Sequence, residues 1–384
     1  MIKIFITVLS YILIFLNTNL LSKEDKDKLK IGLLVPFSGE YKYLGNSLLL
    51  STQLALDEIG DSKILIIPRN SGSKNKAQLN KAIEEIIESG AKIIIGPVDS
   101  DNFEELKKYK DTIFISLSNK EPEIKENIIS IGISLDSQIN ALEEFIINQK
   151  KKKTIIMYPK NQYSSLVEKK VKKIKLKNYK IFKYSPDPKI LTGEIEKLTN
   201  YSQRKRNLEY RKKILSEKED PQSLNELKKL EQRYTLGKVN FDSVMIIDFG
   251  NSLKSVLASL AFVDINDKDV LFTTVNQWFD KSIFYENSVN NLYYPSVNFE
   301  NFKNYNNKYI RTFDLEPNEI TILSYDALGL IYYIWKKNNG INSINDFFIK
   351  SKIKGKIGNF MFEGGKVSQE LTIYKTENKK FIKY

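Results

Sequence analysis

A chain of 384 residues with 41% hydrophobic and 11% aromatic side chains can bury a large core and is long enough for two domains. It contains no cysteine and no histidine, which excludes disulfides, thiolate nucleophiles, cysteine zinc sites, a lipid-modified cysteine, Ser-His-Asp triads and imidazole bases. The net charge of +13 is nearly all lysine spread along the chain; no DNA- or RNA-recognition motif accompanies it, so it reads as compositional bias and solvated faces, with an anionic partner as the alternative.

The amino terminus runs from Met1-Ile2-Lys3 through an apolar stretch, Ile4 to Leu16, to Asn17–Ser22 and the charged Lys23–Lys30. That basic, apolar, polar order predicts a secretory signal peptide over residues 1–22 and export to the periplasm. An uncleaved inner-membrane anchor is the alternative, because Ile4 to Leu21 reaches bilayer-spanning length. No other segment is long and apolar enough to cross, so no stable membrane insertion is expected after cleavage.

Lys30 to Val35 predicts a buried strand that stops at Pro36. A loop holding Ser38, Gly39 and Gly45 then leads to a helix from Ser47 to Ile59. Strands follow at Lys63–Pro68, Gly90–Pro97 and Thr112–Leu117, separated by helices at Asn75–Ser89 and Asn102–Lys108. Parallel strands need crossover helices, so this is an α/β sheet whose loops gather at the carboxyl ends of its strands, where such sheets bind ligands. A second series starts after Ile128–Ile133. It comprises a helix capped by Ser134 or Asp136 and running to Asn148, a strand Thr154–Tyr158, a basic helix Gln162–Leu176 and a strand Lys180–Tyr184. Two facing lobes are expected, with one long doubly wound sheet as the alternative.

From Lys197 to Leu236 the composition turns to Lys, Arg, Glu and Leu, and Leu208, Leu215, Leu224, Leu227, Leu230 and Tyr234 suit a helical hairpin with a narrow apolar seam. It reads as a solvated excursion or as a protein-binding arm. Next come a strand Phe241–Ile247, the loop Asp248–Asn251, a helix Ser252–Phe262, a strand Val270–Val275 and Trp278. Leu292–Pro295 leaves the second lobe, helices Phe302–Phe313 and Ser324–Lys336 return to the first, and an alternating strand Val367–Tyr374 precedes a terminal strand near Phe381.

Four stretches, Ile31–Gly39, Ile94–Ser100, Ser324–Leu328 and Gly358–Phe362, resemble in order and spacing the signatures of type I periplasmic binding proteins related to the leucine/isoleucine/valine-binding protein. The resemblance implies two Rossmann-like α/β lobes joined by three crossover strands, closing like a hinge on a ligand in the cleft between them. The layout is then a signal peptide at 1–22, lobe 1 at 29–135, lobe 2 at 136–295 with the hairpin inserted at 199–236, lobe 1 again at 296–365, and lobe 2 with the terminal strand at 366–384. It also implies capture of a small polar solute for an inner-membrane ABC permease. A narrower resemblance, carried by Leu236–Val244, Thr274–Asp280, Pro295–Phe299 and Tyr309–Pro317, is to penicillin-binding protein activators, which implies a peptidoglycan synthase as partner.

Ser100 matches the serine that holds the carboxylate in amino-acid-binding members, and Tyr163 matches an aromatic site residue. The positions after the fourth strand are Asn119 and Lys120 in place of Ala and Thr, and the acid expected to hold an ammonium falls at Ser252. An ammonium without a countercharge is costly to bury, so branched-chain amino-acid binding is not expected, and Lys120 points to an acidic or polar ligand. The candidate pocket combines Ser38, Tyr43, Ser100, Ser118 and Asn119 from lobe 1 with Tyr163, Asp248, Asn251 and Trp278 from lobe 2. No catalytic residue, metal ligand, cofactor or nucleic-acid partner is expected. Asp248 and Asp280 form a conceivable carboxylate pair, but no nucleophile or metal spacing supports an enzyme.

Overall fold

The computed structural model describes residues 28–72, 75–98, 103–118, 126–277, 291–349, 352–363, 366–377 and 380–384. Its first strand, β1 (Leu29–Val35), feeds helix α1 (Lys42–Ile59), which begins earlier than the glycine at position 45 suggests. Gly45 lies inside the helix because its first turn presses on the preceding loop: a Cβ there would stand 1.8 Å from the Pro36 carbonyl oxygen. Then follow β2 (Ile64–Asn70), α2 (Lys76–Glu88), β3 (Ile93–Ile95), α3 (Phe103–Leu106), β4 (Ile113–Ser116) and β5 (Ile128–Ser130). All five strands run parallel in the order β2-β1-β3-β4-β5.

Parallel strands covered on both faces read as unbroken apolar runs, and Ile31, Leu33, Leu34 and Val35 are all fully buried. On one face Leu34, Ile94 and Phe114 pack against Leu79, Ile83 and Ile86 of α2, whose amino end is capped by the Asn75 side chain accepting from the Gln78 amide at 3.1 Å. Two later helices, α10 (Phe299–Phe313) and α11 (Ile322–Asn338), return to this unit, and α11 packs along α1 and onto β3. Hydroxyls fix α10 and α11 to α1: Tyr305 donates to Ser51 at 2.8 Å, Ser51 to the Thr321 carbonyl at 2.6 Å, and Ser324 to the Leu48 carbonyl at 3.0 Å.

The second unit is built on α4 (Leu135–Asn148), β6 (Thr154–Pro159), α5 (Ser164–Val171), β7 (Tyr179–Tyr184), β8 (Ser243–Ile246), α9 (Gly250–Phe262), β9 (Leu271–Thr274) and β10 (Leu292–Ser296). Helix α5 is shorter than expected, since Lys172, Lys173 and Lys175 crowd like charges where the helix would continue. A helix absent from the sequence reading, α6 (Pro188–Leu198), precedes the hairpin. Asp187 caps it and Pro188 supplies its first turn. Strand periodicity divides the core in two: Ile155, Met157, Val244 and Ile246 point to one face of the sheet, and Ile156, Tyr158, Met245 and Ile247 to the other.

The hairpin is α7 (Tyr201–Ser216) and α8 (Pro221–Glu231). Its seam is Leu208, Leu215 and Leu230, with Leu227 and Leu236 partly buried against them. Leu224 and Tyr234, expected in the seam, are instead 47% and 72% exposed. The predicted strand Val367–Tyr374 is two strands. The first, β13 (Lys366–Gln369), joins β11 (Ile353–Lys354) and β12 (Asn359–Glu363) in a small antiparallel sheet of the first unit. The second, β14 (Thr372–Glu377), lies antiparallel to β10 in the second. Alternation reports which side chains are buried, not in which sheet, and the break follows Gln369, whose amide donates to the Ile131 and Gly132 carbonyls. The terminal strand β15 (Lys380–Lys383) pairs with β14. The chain passes between the units at Leu135, Asn301 and Glu370, against the expected 136, 296 and 366. Among the described residues no helix is long and apolar enough to cross a membrane.

Candidate functional site

In the first unit the loop after β1 is shaped by a residue at the end of β2. Asn70 Oδ1 accepts from the Phe37 amide at 2.9 Å and from the Gly72 amide at 3.1 Å, while its Nδ2 donates to Ser38 Oγ at 2.8 Å. One side chain thus orients both the backbone and the candidate hydroxyl. Tyr43 belongs to the first turn of α1 and is 62% exposed, with its hydroxyl donating to the Glu316 carbonyl at 3.2 Å. Ser118, after β4, is buried; its amide donates to Ser116 Oγ at 3.2 Å and its carbonyl accepts from Ser130 Oγ at 2.9 Å. The neighbouring turn requires glycine at Gly96, where φ is +110° and a Cβ would meet the Leu34 carbonyl oxygen at 2.1 Å. Ser100 and Asn119 lie outside the described residues.

In the second unit the loop between β8 and α9 is held from within. The Asp248 carboxylate accepts from the Tyr184 hydroxyl and, at 2.8 Å, from the Phe249 amide. Burial pushes the Asp248 carboxyl above the usual carboxylate range, although hydrogen bonds from Ser252, Tyr184 and the Phe249 amide oppose the shift. Burial and the adjacent Asp248 charge likewise raise the Tyr184 phenol. Gln277 completes the clamp: its Nε2 donates to the Asp248 carbonyl at 2.9 Å and its Oε1 accepts from the Gly250 amide at 3.0 Å. Asp248 is therefore a loop-positioning carboxylate with its oxygens turned into the fold. Tyr163, half-buried at the start of α5, meets the Phe249 ring edge-on at 5.9 Å. Asn251 is exposed in the first turn of α9, which starts two residues before the Ser252 expected from the sequence. Trp278 lies outside the described residues.

Tyr163 is thus brought to the Asp248 loop, and Ser38 to Asn70. Asn70 and Gln277 escaped the sequence reading. The sequence pattern places the end of the second strand at Pro68, but β2 is an edge strand, which tolerates proline, and continues to Asn70. Gln277 adjoins Trp278, the larger and more conspicuous side chain in the sequence.

Residues 28–177 match the profile of the family described as periplasmic binding protein. The chain also superposes on LivJ of Streptococcus pneumoniae, the branched-chain amino acid transporter substrate-binding protein solved with isoleucine, with a TM-score of 0.57 and 15% identity over 93% of this chain and 100% of that one. The chain has the fold of type I periplasmic binding proteins. Two further structures with this periplasmic-binding-protein fold are similar. The C-domain of LpoA from Haemophilus influenzae, a regulator of PBP1A, gives a TM-score of 0.58 at 13% identity over 92% of this chain and 99% of that one. A solute-binding protein of an R. palustris ABC transporter, in complex with benzoate, gives 0.55 at 14% identity over 93% and 95%. The chain spans 59% of full-length LpoA. No curated protein matches the sequence.

Proposed function

We propose that the chain is an exported, non-catalytic recognition protein that takes a small polar solute at the carboxyl-edge loops of its strands, for uptake by an inner-membrane ABC permease. The observation that supports this most directly is the Ser38–Asn70 pair. Because Ser38 Oγ accepts the Asn70 amide proton, the serine's own proton is left to donate, and the loop offers an oriented donor to a carboxylate or carbonyl oxygen. Tyr163, backed by Phe249, offers a ring to the apolar part of the solute. Asp248 is spent on its own loop and supplies no countercharge for an ammonium, so a carboxylate without an amine fits better than an α-amino acid. The similar benzoate-bound protein carries such a ligand.

The test is a thermal-shift screen of the mature protein over carboxylic acids, amino acids, short peptides and cell-wall fragments. A ligand at one hundred times its Kd adds about 2.7 kcal/mol, a rise in Tm of roughly 5–10 °C. Ser38→Ala is expected to remove the shift while leaving the unliganded Tm within about a degree. No stabilisation by any compound defeats the proposal.

A second reading, regulation of a peptidoglycan synthase through the hairpin, is favoured by one observation: the hairpin is rooted rigidly in its unit. Arg204, itself buried, donates to the carbonyls of Gly237 at 3.1 Å and Val263 at 3.0 Å and to Thr235 Oγ1 at 2.7 Å. The likeness to the LpoA C-domain supplies the partner class. Replacing residues 207–231 by a short glycine linker leaves that root in place and should abolish capture of detergent-solubilised synthases. Undiminished capture removes this reading.

A further inference from the structure

At the amino ends of β6, β8 and β9, the opposite edge of the sheet from Tyr163 and Asp248, the hairpin's return loop and two strand-entry loops enclose a groove of about 930 Å³. Lys152 and Lys153 line it from the turn before β6, Arg233 and Lys238 from the hairpin's return, and Lys268 from the turn before β9. Elsewhere on the chain some cations pair with nearby carboxylates, as in Arg69–Glu85, Lys160–Glu194 and Arg211–Glu226. Here the local carboxylates are engaged otherwise. Asp242 accepts from the backbone amides of Lys152 and Lys153 at 2.8 and 2.9 Å, and Asp264 accepts from the Thr235 hydroxyl at 2.8 Å. Arg204, at the groove's root, has its guanidinium committed to carbonyls and Thr235. The groove is left with more cationic than anionic side chains around a recess large enough for several residues of peptide.

We infer that this groove binds an acidic peptide segment of a partner protein. Charge complementarity sets the sign of the occupant. Its class follows from the lining: Gln232, Asn240 and Asn266 interleave neutral amides with the cations, as peptide groups between carboxylates require. A flat anionic bilayer cannot enter a recess. The inference is independent of what the carboxyl-edge loops bind.

The experiment titrates fluorescein-labelled hexaglutamate with the whole mature protein by fluorescence anisotropy at low salt, with oligo-dT of equal length as the second probe. Expected are saturable hexaglutamate binding tighter than oligo-dT, and at least about tenfold weakening when ionic strength is raised toward 0.3 M. The double variant Lys153→Glu/Arg233→Glu should weaken binding by about tenfold or more. Lys228→Glu/Lys229→Glu, the same charge change at exposed hairpin positions outside the groove, should not. Should the first variant lose its native circular dichroism, the single changes Lys238→Gln and Lys268→Gln replace it, each expected to weaken binding about two- to fivefold. Absence of binding, equal loss in the groove and control variants, or tighter binding of oligo-dT overturns the inference.

Discussion

Replacing Arg204 by Met keeps the aliphatic stem and removes the guanidinium that joins the hairpin to its unit. Four hydrogen bonds go with it: to Gly237 O at 3.1 Å, Val263 O at 3.0 Å, Thr235 Oγ1 at 2.7 Å and Asp264 O at 3.3 Å. The contacts to Val263 and Thr235 are buried, and an acceptor left unsatisfied there costs about 1–3 kcal/mol, whereas the two half-buried ones recover water. Part of the loss is offset, because burying the cation is itself unfavourable: desolvation pulls the Arg204 pKa down, against the attraction of Asp264. The net destabilisation is about 2–4 kcal/mol. It should be local, since the hairpin's own seam of Leu208, Leu215 and Leu230 is small. Hydrogen–deuterium exchange read by mass spectrometry is the assay, and a loss of about 2 kcal/mol speeds exchange in α7 and α8 by roughly thirtyfold. Arg204→Lys should do little better, because one ammonium cannot span acceptors that the planar fork reaches together. Unchanged exchange in α7 and α8, or an equal loss of protection throughout both units, refutes the reasoning.

Asn70→Ala strands the amides of Phe37 and Gly72 and should cost about 1–2 kcal/mol in urea unfolding. Asn70→Asp keeps the acceptor, loses only the donor to Ser38 and should cost less than about 1 kcal/mol. Asp326, fully buried and accepting the Lys356 and Ile357 amides at 2.8 Å each, is raised by that burial to about 6 from 3.8. Between those values the folded chain holds a proton that the unfolded chain has released, so this group's contribution falls as pH rises from about 4 to about 6, by about 3 kcal/mol, and is level above. The stability difference between wild type and Asp326→Asn across that range should carry this slope, and parallel curves would contradict it. Tyr184→Phe removes a donor to a carboxylate already raised by burial. Its cost, about 1–3 kcal/mol near pH 8, should shrink toward pH 4 as the Asp248 carboxyl protonates in the fold.

The sheets were legible because their strands are short apolar runs stopped by proline, glycine or polar residues, and such runs report burial directly. Ile93–Ile95 and Ser243–Ile246 are buried at every position. Helix ends were less legible where tertiary packing decided them. The first turn of α1 contains Gly45 because Pro36 lies too close for a side chain there, so this glycine marks close packing and not a loop. Helix α6 carries its start in Asp187-Pro188, a short local signal between a strand and a conspicuous charged segment. The candidate site was the least legible part, because its key pairings are distant in sequence. Asn70 reaches back 32 residues to Ser38, and Tyr184 meets Asp248 across 64. Ser38 and Asp248 look alike as polar residues at strand ends, yet one hydroxyl keeps a proton to donate while the other residue's carboxylate is consumed indoors. No pattern of spacing separates those two fates.

The last passage of the chain, at Glu370, has a consequence for how the molecule is made and how it fails. Strands β14 and β15 are synthesised after the other five strands of their sheet, and until they arrive β10 is a bare border of that sheet. That border carries Leu292 and Tyr294, which β14 covers in part with Tyr374, its ring 5.6 Å from that of Tyr294. A protease nick or a premature stop after Gln369 would therefore leave most of the mass intact while uncovering an apolar β-edge, the kind of template onto which other chains stack.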